Sequence, residues 1–246
     1  MNFSVIIPTL NEQAVLSSCV DNVRRLDAGV EIIVADGGSI DGTDQVALSE
    51  RVRLCRCQRG RGRQCNTGAR LAAGDVLIFL HADTRLPERA FELLGKIFSH
   101  DNIQFGTFHI KFDVDHWFLR FLSFISVFDL GLCLFGDQCF VVRKSFFQSL
   151  GGFRPWSLFE DMEFARRARK RTRLVRFPAA VTTSSRRFIK NGIIRQQAKN
   201  VWFTVRYLCG ISPEKLSLKY YSASHKNQRR SRAQPPAAEH LELSEV

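Results

Sequence analysis

The stretch DVLIFLHADT, Asp75 to Thr84, drives an unbroken apolar run straight into a histidine and an aspartate. A run of that length, Val76 to Leu80, reads as a buried strand, and Gly74 just before it suits a left-handed cap closing the preceding helix. Working back toward the start, the same signals alternate. FSVIIP is a buried strand, and NEQAVLSSCVDNVRRL follows with Val15, Leu16, Cys19, Val20, Val23 and Leu26 at helical spacing. VEIIVADGG is the second strand, DGTDQVALSE a helix, VRLCRC the third strand, and QCNTGARLAA a helix of small residues able to lie close on a sheet. This alternation predicts an α/β fold with a mostly parallel central sheet flanked by helices.

In an open parallel sheet the carboxyl ends of the strands lie along one edge, where ligands bind. Pro8 to Glu12 follows the first strand, Asp36 to Ser39 the second and His81 to Asp83 the fourth, so these three polar ends should share a crevice. GRGRQCNTG at 60–68 lacks the third glycine of a dinucleotide fingerprint and does not follow the first strand, which argues against a Rossmann cofactor. Arg63 and Asn66, read as the start of a helix, offer donors to a phosphate there.

With 246 residues and 45% hydrophobic content the chain can bury one sizeable core. Cys19, Cys55, Cys57, Cys65, Cys133, Cys139 and Cys209 form no CxxC pair, and the sequence opens without a basic segment and apolar run of the secretory kind. Both features predict a reduced, cytoplasmic protein, at the inner face of the membrane if it meets lipid. The net charge of +12 points to anionic partners, and much of it lies in RGRGR at 59–63 and RRARKRTR at 166–173.

Beyond residue 105 the pattern changes. QFGTFHIKFDVD alternates like a strand with one solvated face, and GDQCFVVRKSFFQSLGGF reads as strand then helix, closed by Gly151 and Gly152. HWFLRFLSFISVFDLGLCLFG, residues 116–136, has the length of a short membrane span, but Arg120 and Asp129 inside it favour a helix shared between the core and lipid or a lipid-like acceptor. RRFIKNGIIRQQAKNVWFTVRYL mixes bases with aromatic residues in the same manner. Residues 226–246 are polar and rich in Pro and Ala, the composition of a disordered tail.

Five motifs, VIIPTLNE, VADGGSIDGT, FLHADT, FGDQCFVVRKSFFQSLGGF and FEDMEFARRARKR, in this order over roughly residues 1–222, resemble glycosyltransferase family 2. They are particularly similar to its small bacterial subgroup of radical-SAM/selenodomain-associated transferases 2. The resemblance implies a single GT-A domain over residues 1–225, with a nucleotide-sugar half at 1–104 and an acceptor half with C-terminal helices at 105–225. It further implies a hexosyltransferase-like, inverting transfer from a nucleotide-diphospho-sugar donor to a hydroxyl acceptor, with Mg2+ or Mn2+.

On the same resemblance Pro8, Thr9, Asn11 and Glu12 hold the nucleotide, with Asp36 accepting from the base and Gly38 and Ser39 beside it. His81, Ala82 and Asp83 occupy the place of the family's D-x-D, Asp83 binding the metal that bridges the two phosphates. His81 in place of an aspartate removes a negative charge and supplies an imidazole suited to the ribose or the diphosphate. Gly136, Asp137 and Gln138 fall on the acceptor side, Asp161 is the expected catalytic base with Glu160 beside it, and Arg186 and Arg187 before Phe188 resemble a basic-aromatic diphosphate clamp. Two other readings are weaker. A sugar-phosphate nucleotidylyltransferase should carry a Gly-rich loop with a nearby base after the first strand, which PTLNE lacks. A basic module for nucleic acid or membrane surfaces gives no reason for carboxylates at strand ends, which repel phosphates without a metal.

Overall fold

The computed structural model describes residues 1–128 and 138–220. Gly136 and Asp137, with the rest of 129–136 in the 116–136 segment, and the 226–246 tail therefore lie outside the described residues. The elements come in the order read: β1 (Phe3–Thr9), α1 (Gln13–Leu26), β2 (Glu31–Asp36), α2 (Thr43–Ser49), β3 (Arg53–Arg56), α3 (Arg61–Leu71) and β4 (Val76–Phe79). It continues through β5 (Thr84–Arg85), α4 (Ala90–Phe98), β6 (Phe105–Phe112), α5 (Trp117–Val127), β7 (Phe140–Arg143) and α6 (Lys144–Ser149). Then come α7 (Glu160–Arg169), β8 (Val175–Thr183), α8 (Arg186–Asn191) and α9 (Ile193–Leu208), with a further helical stretch at 213–220.

Among the described residues the eight strands join one sheet in the order β3-β2-β1-β4-β7-β6-β8-β5. The β3/β2, β2/β1, β1/β4 and β6/β8 joins are parallel, while β4/β7, β7/β6 and β8/β5 are antiparallel. Period-2 alternation then splits the core into two layers. Val5, Ile7, Val34 and Ile78 face α1 and α4 through Leu16, Val20, Leu94 and Phe98. Ile6, Ile33, Leu77 and Phe79 face α3, α6 and α7 through Cys65, Ala69, Phe147 and Phe164.

Two sequence expectations need correction. Gly74 is not a left-handed cap: α3 is closed by Ala72 in extended backbone, and Gly74 is not among the positive-φ residues. Its lack of a side chain matters for packing instead, since a Cβ there would stand 2.7 Å from Ser4 Oγ and 2.8 Å from the backbone of Phe3. Nor does β6 show one solvated face along its length. Phe105 to Phe108 are all buried, because this half of the strand lies between the two core layers, and only its far end reaches solvent.

Candidate functional site

The carboxyl ends of β1 and β4, the approach to α3 and the start of α7 surround a cavity of about 430 Å3. Pro8, Thr9 and Glu12 form its first edge. Asn11, in left-handed backbone at φ 58°, ties that loop to the next one: its N–H donates to Ser39 Oγ at 2.8 Å, and its Oδ1 accepts from Ile40 N at 2.9 Å. Asp36 is 2% exposed. It accepts from Gly38 N and Ser39 N at 2.9 Å each, from Thr9 Oγ1 at 3.1 Å and from Ser39 Oγ at 2.5 Å. Its carboxylate thus organises the 36–39 loop, and neither Asn11, Asp36, Gly38 nor Ser39 lines the cavity.

His81, Ala82 and Asp83 all line it. Leu80 N donates to Ile6 O at 3.0 Å, carrying the β1/β4 pairing to the edge of the turn, and Thr84 N closes the turn on His81 O at 3.0 Å. Ser184 N donates to Asp83 O at 3.1 Å, and the Thr84 and Thr183 hydroxyls meet at 3.1 Å. The segment is therefore held from both sides, by the central sheet and by the β8 end. Among the described residues no group of three His, Cys, Asp or Glu forms a ready-made metal cage. One carboxylate with a neighbouring imidazole fits a Mg2+ or Mn2+ ion that takes its remaining oxygens from phosphates and water.

The approach to α3 differs from the reading at 60–68. The helix begins at Arg61, three residues before the predicted QCNTGARLAA, so Arg63 and Asn66 do not sit as expected. Arg63 is exposed and donates to Arg59 O at 3.3 Å. Asn66 brackets the 152–153 turn, donating to Phe153 O at 2.8 Å and accepting from Phe153 N at 2.9 Å. Neither reaches the cavity, and Arg59, Gly60, Arg61 and Gln64 line it in their place. Gln64 donates to Thr9 O at 2.6 Å and Ala35 O at 2.9 Å, joining β1 to β2 at the sheet edge. Gly62 lets the 154–156 loop lie on the helix, since a Cβ there would stand 2.1 Å from Arg154 O. The RGRG run begins three residues past Arg56, the last of β3, so the strand-end reasoning applied to the other strands also points to these residues.

At the start of α7 two adjacent carboxylates part company. Asp161 lines the cavity and is 8% exposed, its Oδ1 accepting from Met162 N at 2.7 Å. Glu160 is 1% exposed and does not line the cavity; its Oε1 lies 3.5 Å from Arg61 Nε, so it holds the cavity-lining arginine from behind. Glu163, next along the buried side, is bound at 2.8 Å by Arg167. The far wall comes from the C-terminal helices. Arg186 donates to Glu12 at 2.9 Å across the crevice, and Arg187, in the wall, donates to Tyr220 Oη at 3.0 Å. Burial first, then the neighbouring Arg187 and Arg195, hold the Lys199 ammonium below the usual lysine range. Positive charge is crowded on this side, as suits an anionic ligand. Gln138 also lines the cavity, accepting from Arg176 at 2.6 Å.

Residues 4–151 match the family model described as Glycosyl transferase family 2. The chain belongs to that family. This family 2 chain is 43% identical over 94 residues to a PGL/p-HBAD biosynthesis glycosyltransferase of Mycobacterium bovis, a match covering 35% of the chain. The match spans 37% of that relative's length. Among solved structures, glucosyl-3-phosphoglycerate synthase from Mycobacterium tuberculosis, in complex with Mn2+, UDP and phosphoglyceric acid, has a TM-score of 0.59 at 20% identity, over 86% of this chain and 79% of that one. A mannosyltransferase from Pyrobaculum calidifontis in complex with GDP-Man and Mn2+ has a TM-score of 0.57 at 20% identity, over 74% and 56%. These likenesses give the family 2 chain the GT-A-type fold its motifs implied, a mixed α/β architecture with helices on both faces of the sheet.

Proposed function

We propose that this family 2 chain transfers a sugar from a nucleotide-diphospho-sugar to a hydroxyl acceptor, with inversion and with a divalent metal. The observation that carries the reading is the cavity itself, which draws Asp83, Asp161 and the cations Arg59, Arg61 and Arg187 from separate elements around one space. The order of the five sequence motifs supports the finer placement in the radical-SAM/selenodomain-associated subgroup. Bound Mg2+ or Mn2+ would supply Lewis-acid stabilisation of the leaving diphosphate, with Asp83 as its protein carboxylate and His81 alongside.

The chain's own residues divide the remaining work. Arg59, Arg61 and Arg187 oppose the diphosphate charge, and the Arg186–Glu12 ion pair at 2.9 Å keeps the nucleotide loop against the C-terminal wall. Asp161 takes the acceptor proton as the new bond to the anomeric carbon forms, a role in which a placed carboxylate contributes roughly 10²- to 10⁴-fold. Gln138 lies on the acceptor side. Ile110, Phe112, Leu122, Ile125 and Phe188 make that wall apolar, which supports a lipid or lipid-linked alcohol as acceptor, met by a cytoplasmic enzyme in peripheral contact with an anionic membrane.

Screening a panel of sugar nucleotides for metal-dependent hydrolysis tests the reading, and Asp83→Ala sharpens it. Calorimetric affinity for UDP with Mn2+ should fall at least about tenfold in Asp83→Ala with the fold intact, the loss of one charge-assisted ligand. Unchanged affinity would remove Asp83 from the metal site.

A further inference from the structure

The face made by α5, α8 and α9 carries a concentration of large apolar side chains in water. Trp117, Phe121 and Phe124 lie at i, i+4 and i+7 on α5, with Phe128 continuing the row, and all are exposed, Trp117 at 67%. On α9, Ile194, Val201, Val205 and Leu208 repeat that spacing, joined by Trp202, and all are likewise exposed. Phe118 on one helix and Ile194, Val201, Trp202 and Val205 on the other line a shared groove, so the two stripes form one surface. Gln197 lines both this groove and the cavity, which places the surface at the cavity's edge.

Positive charge predominates on this surface: from Arg186 to Ser212, across α8 and α9, the sequence contains six Lys or Arg and no Asp or Glu. Lys190 on α8 is exposed, Arg195 is exposed next to Ile194 on α9, and Arg206 lies over the Trp202 ring at 4.3 Å. Asp115, just before α5, is within 3.6 Å of Arg120. A two-fold contact with a second copy would set these bases against themselves. Exposed indole and phenyl rings ringed by Lys and Arg match the boundary between acyl chains and anionic headgroups.

We propose that the α5–α8–α9 face docks on an anionic lipid bilayer, with Trp117, Phe121, Phe124 and Trp202 entering the headgroup boundary. Docking itself does not require the transferase reading; that reading adds that the cavity edge at Gln197 then faces lipid-borne acceptors. The experiment uses the full chain without donor or metal, so its failure is separable from failure of the transfer chemistry. Co-sedimentation compares vesicles of neutral phosphatidylcholine with vesicles containing about a third phosphatidylglycerol, at low and high salt, and vesicles with brominated acyl chains report tryptophan depth.

Partition should be at least about tenfold higher on anionic vesicles at low salt and fall at high salt, each base near the surface contributing about fivefold. Brominated chains should quench tryptophan emission. Trp117→Ser combined with Phe124→Ser, and separately Lys190→Glu combined with Arg195→Glu, should each lower partition about tenfold, while circular dichroism and melting stay as in the parent. Equal partition on neutral and anionic vesicles overturns the proposal, as does binding unmoved by either pair of substitutions, which would locate it elsewhere on the chain. A concentration-dependent dimer abolished by the serine variants, without vesicle binding, assigns the face to a second copy and overturns it too.

Discussion

Glu160 and Asp161 are consecutive carboxylates at the mouth of one helix, and their surroundings give them different work. Adjacent helical residues project about 100° apart, so only one can face the cavity, and that one is Asp161. Asp161→Asn keeps the shape of the side chain and its acceptor oxygen for Met162 N but cannot take a proton. Turnover should fall by roughly 10²- to 10⁴-fold with nucleotide affinity close to that of the parent. Glu160→Gln instead weakens the hold on Arg61, 3.5 Å away. It should raise KM for the donor more than it lowers kcat. Steady-state kinetics with calorimetry of UDP binding read this split, and the reverse pattern would exchange the two roles. FED already names Asp161 as the base over Glu160, and the helix start after Phe159, in left-handed backbone at φ 65°, turns Asp161 toward the cavity.

The elements show why some of the site could be read and some could not. The β4 run and the spacing of α1 are local signals, and both elements lie where the sequence puts them. The start of α3 is not local. Gly60 at φ 136° lets the chain enter the helix at Arg61, and the 154–156 loop lies against Gly62 from some ninety residues away. No periodicity in GRGRQCNTG carries that contact, so Arg63 and Asn66 were expected where Arg59 and Arg61 stand. A second non-local joint is Asp113, after β6, which accepts from Ser185 N at 2.8 Å and Ser185 Oγ at 2.6 Å and so fixes the entry to α8. Burial pushes its carboxyl upward, but the Ser185 hydroxyl, the Ser185 N–H and the Ser184 hydroxyl outweigh it, leaving the group below the usual aspartate range. Its contribution is therefore fully present above the unfolded value near 3.9 and is lost as pH falls through the lower folded value. Asp113→Asn should cost about 0.5–1 kcal/mol at neutral pH, limited by solvent screening, with the difference from the parent shrinking below about pH 4. Urea titrations at pH 7 and pH 3.5 measure it, and a gap that widens in acid would contradict the assignment.

For the molecule as a whole, the two layers on the sheet and the C-terminal wall of the cavity are held by unequal cores. The sheet layers bury large side chains throughout, among them Phe98, Phe105, Phe164 and Phe177. The wall rests on a separate small cluster, Phe159, Met162, Phe203 and Leu216, with Leu158, Tyr207, Ile211 and Tyr220 packed around it and Phe159 stacked on Tyr207 at 4.5 Å. A unit with so little buried apolar surface should open before the sheet does. Leu216 is 1% exposed, so Leu216→Ala removes a fully buried side chain, at a cost of about 2–5 kcal/mol, but the loss falls on the satellite cluster alone. Amide exchange should accelerate through α8, α9 and residues 213–220 while β1, β2 and β4 keep the protection of the parent. Because Arg187, Asn200 and Phe203 of that wall line the cavity, UDP with Mn2+ should slow the same amides in the parent, and less so in the variant. Exchange that quickens uniformly across sheet and helices would mean that wall and sheet unfold together, and the wall would then be no independent closure over the site.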